Sequence, residues 1–159
     1  MGKLNVVSYK DFVLEGEFER IKAPDKTVLD EESVITAIKK FKDEKVSLGY
    51  ALGTLNEGFL VMPTEDGDQV VEENRPPAFM IIDIQWNSER KSIVGTVIIL
   101  DSPDGEKIKN AIMQGTECYI SYADTDSYLA KDENSSSVLL KISEIRGFKI
   151  SIMSFHNTI

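Results

Sequence analysis

This chain is poor in the residues that most catalytic and metal sites use. Its 159 residues include a single cysteine, Cys118, and a single histidine, His156. One cysteine cannot form an intramolecular disulfide, which is consistent with a reducing compartment. No apolar run approaches membrane-spanning length, and the N-terminus has no signal-peptide core, so we expect no membrane partner.

Positive charge is also scarce. The chain has 18 Lys and Arg against 27 Asp and Glu, which gives a net charge of −9. Such a charge opposes binding to phosphate backbones, so we expect no nucleic-acid partner. It favours solubility or docking onto a basic protein surface. The hydrophobic fraction of 42% is that of a globular protein, and the length predicts a single domain over 1–159.

The segment 95–127 has the clearest local pattern: strand, turn, helix, strand. After an apolar, β-rich stretch, Ser102 stands where a helix N-cap belongs and Pro103 at the first helical position. Gly115 has the position of the residue that follows a helix end. The next predicted strand ends at Ser121, and a serine at the end of a strand is a candidate nucleophile.

The rest of the chain predicts further strands and a second helix. Alternation predicts a strand over 12–21, and an apolar stripe predicts a helix that begins at Asp30. Segments 79–86 and 92–100 predict a hairpin, and the polar segment 123–137 predicts a surface loop. We therefore expect an α+β domain in which six or more mostly antiparallel strands curl into a barrel, with two main helices.

Several short motifs occur in a characteristic order. The most specific is Ile99–Gly105, ILDSPDG, followed by a helix and Gly115. It is preceded by Ala51–Gly58, ALGTLNEG, and by Ala78–Met80, AFM, and it is followed by Tyr119–Asp124, YISYAD. In this order the motifs resemble the prohead core protease family of contractile-tailed phages, whose fold is that of the herpesvirus assemblin. The resemblance extends over nearly the whole chain, and it implies an assemblin-like barrel.

The same resemblance implies a serine nucleophile, two histidines, and an arginine and a glycine close behind the serine. In this chain the two histidine positions hold Glu57 and Met80. Of the nucleophile motif only the first serine, Ser121, remains, and the residues that follow it differ: Tyr122, Ala123 and Asp124. A serine hydrolase that loses its base loses most of its rate. We therefore expect an inactive homologue that is not an enzyme and has no catalytic residues.

Other chemistries have weaker support in the sequence. Glu57 could serve as the base for Ser121 only if burial raised its pKa strongly. Cys118 lies beside Glu117 and lacks the basic neighbour that a nucleophilic cysteine needs. Four acids between 124 and 133 lack the glycine and the closing glutamate of a calcium loop: Asp124, Asp126, Asp132 and Glu133. We expect no metal and no cofactor.

The function that the resemblance implies is a non-catalytic role in phage head structure or assembly. Its partners would be capsid, scaffold or protease proteins, and its location the virion head or the host cytoplasm during assembly. Because enzymes of this fold commonly pair, a homo-oligomer is also compatible with the resemblance. Two alternatives stay open: an active serine endopeptidase for prohead maturation with a rearranged site using Ser121, and a generic acidic binding domain that shares only the fold.

Overall fold

The computed structural model describes residues 1–56 and 76–153 in full, together with the backbone of 60–64 and 67–71. The strands are β1 (Gly2–Ser8), β2 (Val13–Arg20), β3 (Thr27–Leu29), β4 (Leu52–Leu55), β5 (Leu60–Thr64), β6 (Gly67–Val71), β7 (Phe79–Asn87), β8 (Ser92–Ile99), β9 (Glu117–Lys131) and β10 (Val138–Met153). The helices are α1 (Glu31–Phe41), which continues into a π-helical segment (Lys42–Val46), and α2 (Pro103–Met113). Neither helix in the described part of the chain is long and apolar enough to cross a membrane.

Seven of these strands close into a barrel. Its hydrogen-bonded order is β10, β4, β7, β8, β2, β1 and β9, and β9 pairs again with β10. The pairing of β10 with β4 is parallel and the other pairs around the barrel are antiparallel. Strand β3 adds in parallel to the start of β10, and β5 and β6 form a separate hairpin. The predicted α+β fold, a mostly antiparallel barrel with two helices, is confirmed.

Helix α1 covers a gap beside β10. On this edge β3 pairs with the start of β10 and β4 with its end, so the middle of β10 has no strand neighbour there among the described residues. Side chains of the helical segment satisfy part of this edge instead. The Ile142 N–H donates to Ser33 Oγ at 3.0 Å, and Lys45 Nζ donates to the Arg146 carbonyl at 2.7 Å. These bonds fix the helix against the barrel because an unpaired buried backbone group is costly.

Aromatic rings fill the barrel interior. Phe18 and Phe148 meet edge to face, with ring centroids 5.2 Å apart, and Phe41 of α1 contacts Phe148 at 5.8 Å. A Cβ atom at Gly95 would lie 2.7 Å from the Phe18 ring, so this ring occupies the space that a side chain at position 95 would need. The core is closely packed at this point because the large Phe18 ring lies against Gly95, which has no side chain.

The unit formed by β8, α2 and β9 follows the predicted local pattern. Ser102 Oγ accepts a hydrogen bond from the Gly105 N–H at 3.1 Å, and Pro103 is the first helical residue. Gly115 has a φ of 80°, a left-handed conformation that favours glycine after a helix end. The prediction differs from the structure at Ser121, which lies inside β9 and not at the end of a strand.

The predicted loop over 123–137 is wrong for most of its length. Strand β9 continues to Lys131, and only 132–137 connects it to β10. In this outer part of the hairpin consecutive residues are exposed; Tyr128 is 51% exposed and Leu129 is 56% exposed. Because both faces meet solvent there, the sequence lacks the alternation of apolar and polar residues that indicates a half-buried strand.

Candidate functional site

Ser121 lies in the inner half of β9, directly opposite Lys149 of β10. The pairs on either side of it face the barrel interior. Ile120 is opposite Ile150, and both side chains are fully buried. On the other side Tyr122 is opposite Phe148, which is 2% exposed.

Successive side chains of a strand point to opposite faces of the sheet. Ser121 and Lys149 stand between two inward-facing pairs, so both project from the outer surface of the barrel. Each is half-buried. The serine that the sequence singles out is therefore on the accessible face, where a polypeptide substrate could reach it.

A third strand extends this row. Lys149 is opposite Thr54 of β4, and the next pair along is Ile150 with Leu55. Neighbouring strands are about 4.8 Å apart, so Ser121, Lys149 and Thr54 form a row about 10 Å wide across the outer face. The end of β4 is held to β10 by Asn56, whose N–H donates to the Ile150 carbonyl at 2.8 Å.

Of the two positions that the resemblance assigns to histidines, the structure describes only that of Met80. Glu57 follows Asn56 but lies outside the described residues. Met80 lies on β7, opposite Leu52 of β4, and is half-buried. Two strands, β10 and β4, stand between the strand of Ser121 and that of Met80, a separation of about 14 Å across the sheet. Ser121 and Met80 are therefore in the same wall of the barrel but are not neighbours.

The two residues after Ser121 do not share its position on the surface. The ring of Tyr122 turns inward and contacts Phe148, with centroids 5.6 Å apart. Burial raises the pKa of Tyr122 well above its usual range, and its buried hydroxyl has no hydrogen-bond partner among the described residues. Ala123 falls at a break in the ladder, because the paired residues on either side of it are Tyr122 and Asp124, opposite Phe148 and Gly147. Such β-bulges bend a strand and are common beside active sites.

Two of the four acids that could have formed a calcium site are bound by an arginine. Arg146 Nε donates to Asp124 Oδ2 at 2.8 Å, and its Nη1 donates to Asp126 Oδ2 at 2.7 Å. These hydrogen bonds hold the pKa of each aspartate below its usual range. Asp132 caps the turn of the hairpin by accepting hydrogen bonds from Asn134 and Ser135. No cluster of three or more potential metal ligands occurs in the part of the chain that the structure describes.

The last two candidate residues are Cys118 and His156. Cys118 is 2% exposed, faces the barrel interior, and has a pKa that burial raises to about 11. A thiol with such a pKa is a poor nucleophile. His156 lies outside the described residues.

Sequence reasoning missed Lys149. No motif marks it, and it is separated from Ser121 by 27 intervening residues of one hairpin. The register of that hairpin, which determines the pairing, is interrupted by three irregularities between β9 and β10. Only the three-dimensional structure brings the serine and the lysine together.

No protein-family model matches the sequence, and no curated protein matches it. Among solved structures the chain is similar to the bacteriophage T4 capsid assembly protease, gp21, with a TM-score of 0.53. The two sequences are 18% identical, and the match covers 89% of this chain and 82% of that chain. At this level of identity the likeness demonstrates a shared fold.

This comparison corrects one expectation and supports another. The prediction that the chain is not an enzyme is contradicted, because the solved structure with the same fold is a protease. Whether the chain is inactive stays untested. The assemblin-like barrel that the sequence motifs imply is confirmed: this chain has the fold of a phage capsid assembly protease.

Proposed function

We propose that this chain is a serine endopeptidase that acts in the assembly of a phage head, with Ser121 as its nucleophile. The observation that supports this most strongly is the position of Ser121 on the outer face of a barrel whose fold is shared with a capsid assembly protease. Ser121 is half-buried between two inward-facing pairs, so its backbone is fixed while its hydroxyl remains accessible. A nucleophile needs both properties.

The substrates of this activity would be structural proteins of the head. The solved structure with the same fold is of a protein named for capsid assembly. By this likeness the chain would cleave capsid or scaffold proteins, and it would act in the assembling head or in the host cytoplasm around it. The net charge of −9 suits docking onto basic segments of such proteins.

Cleavage would follow the usual course for a serine hydrolase. Ser121 Oγ attacks the carbonyl carbon of the scissile peptide bond, and its proton passes to a base. The amine then leaves and an acyl-enzyme remains, which water hydrolyses. The site must therefore provide the serine and a group that accepts its proton.

The proposal is tested with the purified chain and the capsid and scaffold proteins of the same phage. We expect cleavage products, and we expect Ser121→Ala to reduce the cleavage rate roughly 10⁴–10⁶-fold, the effect seen when serine hydrolases lose their nucleophile. Ser151→Ala is the matched control, because Ser151 is also a half-buried serine in the same pair of strands. Equal rates for the wild type and Ser121→Ala, or no cleavage and no labelling of Ser121 by a fluorophosphonate, would contradict the proposal.

A further inference from the structure

We propose that Lys149 is the general base that accepts the proton of Ser121; this inference rests on the proposed function. The two residues are directly opposite each other in an antiparallel pair and project from the same face. Cβ atoms of such a pair are about 4.5–5.5 Å apart. The long, flexible lysine side chain can therefore bring Nζ to the serine hydroxyl without any movement of the backbone. A serine and a lysine perform this chemistry in several unrelated hydrolases.

The ionic environment of Lys149 differs from that of two other lysines on the barrel, Lys3 and Lys141. Lys3 on β1 forms an ion pair with Glu117 at 3.3 Å. Lys141, earlier on β10, forms one with Asp30 at 3.5 Å. Within the described residues Lys149 has no such carboxylate partner. A general base must lose its proton to act, and a carboxylate partner would oppose that loss.

The groups that face Lys149 from the neighbouring strands are mostly uncharged. On β9 they are Ser121 and, two pairs further along the same face, Tyr119, whose hydroxyl donates to a glutamate. On β4 the facing residue is Thr54. The nearest described cation on β10 is Arg146, and its guanidinium is bound by aspartates of β9. Lys149 therefore has hydroxyl groups on two sides and no charge directly opposite.

The proposed step is balanced without any further reactant. A bond forms between Ser121 Oγ and the peptide carbonyl carbon, and the hydroxyl proton passes to neutral Lys149 Nζ. As the tetrahedral intermediate collapses, the C–N bond breaks and the resulting ammonium of Lys149 gives its proton to the leaving amine. Lys149 is then neutral again and can take a proton from the water that hydrolyses the acyl-enzyme.

The test measures the rate at which a fluorophosphonate labels Ser121 and the rate of cleavage of scaffold protein, both as functions of pH. We expect Lys149→Met to lower both rates about 10²–10⁴-fold, the usual contribution of a general base. Lys141→Met is the control for loss of a lysine from the same strand. Circular dichroism and thermal unfolding verify that each variant is folded.

Chemical restoration of the amine at position 149 distinguishes a catalytic role of Lys149 from a structural one. Lys149→Cys places a thiol at the site, and alkylation with 2-bromoethylamine converts it to an amine of nearly lysine length. The native cysteine, Cys118, is 2% exposed and has a pKa of about 11, so the reagent spares it. We expect alkylation to restore labelling and cleavage. We also expect the pH profile to shift toward lower pH, because the sulfur atom lowers the pKa of the new amine.

The possible results distinguish failure of this inference from failure of the proposed protease function. If Ser121→Ala is inactive but Lys149→Met reacts at the wild-type rate, Lys149 is not the base and the proposed protease function stands. Loss in Glu57→Gln without loss in Lys149→Met would assign the base to the glutamate. Loss in Lys149→Met that alkylated Lys149→Cys fails to restore would indicate a structural role and overturn the inference. A wild-type chain that neither cleaves nor labels would overturn both proposals.

Discussion

The ring of Phe18 occupies the space beside Gly95 that any side chain at position 95 would need. A Cβ atom there would lie 2.7 Å from the ring and 2.5 Å from the Asp83 carbonyl oxygen. Both contacts are shorter than van der Waals distance, and the second is with backbone. Phe148 also packs against this ring, with ring centroids 5.2 Å apart, and limits its movement.

We expect Gly95→Ala to lower the free energy of unfolding by about 1–3 kcal/mol, the usual cost of overpacking a core. Chemical denaturation of the full chain measures it. Gly147→Ala is the matched control, since a Cβ at Gly147 would meet nothing within 4 Å and its φ is not in the left-handed region. This variant should differ from the wild type by less than about 0.5 kcal/mol. Equal destabilisation by the two changes would contradict the packing argument.

The pairing of Arg146 with Asp124 and Asp126 predicts an acid-sensitive contribution to stability. Arg146 holds the pKa of both aspartates below their ordinary value of 3.8. A group whose pKa is lowered on folding stabilises the native state above its unfolded pKa, and this stabilisation is lost as the pH falls through the folded-state pKa. Because the groups are exposed to solvent, we predict only the direction.

We expect the wild type to be more stable than Arg146→Met at pH 6, and the difference to shrink as the pH falls below 3.8. Urea unfolding at a series of pH values measures both curves. Arg20→Met, at an exposed position of β2, is the control for loss of one positive charge. A difference between wild type and Arg146→Met that is constant from pH 6 to pH 2 would show that the guanidinium acts through packing and not through the aspartate charges.

The single tryptophan of the chain, Trp86, is placed to report the protonation of another carboxylate, that of Glu31. Trp86 Nε1 donates to Glu31 Oε1 at 2.9 Å, and Ser88 and Lys91 donate to the same carboxylate at 2.8 and 2.7 Å. The hydrogen bond from Lys91, followed by those from Trp86 and Ser88, lowers the pKa of Glu31 to about 2. The carboxylate thereby joins α1 to the turn between β7 and β8.

We expect Trp86 fluorescence to change with a midpoint near pH 2 as Glu31 takes up a proton. In Lys91→Met the midpoint should move upward toward 4.5, the ordinary value for glutamate. In Glu31→Gln the transition should be absent. The stabilisation from Glu31 is present above pH 4.5 and is lost between that pH and about 2. A transition that persists in Glu31→Gln would assign the signal to another group.

Local signals in the sequence determined the β8, α2 and β9 unit. Ser102 caps the helix and Pro103 begins it because each makes its contribution within one turn of the chain. The hairpin of β7 and β8 was also predicted correctly, since both strands are rich in β-branched residues and a polar turn connects them.

Segments whose structure depends on distant partners were not predicted. Strand β1 was missed because its burial comes from β2 and β9, on either side of it. The outer half of β9 was predicted to be a loop because both of its faces meet solvent. Its strand conformation comes from hydrogen bonds to β10, which the composition of β9 does not reveal.

By itself the sequence determined the barrel class, the capped helix and the serine at position 121. The pairing of that serine was decided by the tertiary structure alone. If the ladder continued unbroken from the pair of Lys131 with Val138, Ser121 would be opposite Phe148. Three irregularities in the register place Lys149 there instead. A shift of one residue exchanges the two faces of a strand, so these bulges, set by packing around the whole barrel, decide whether the serine meets a phenylalanine or a lysine.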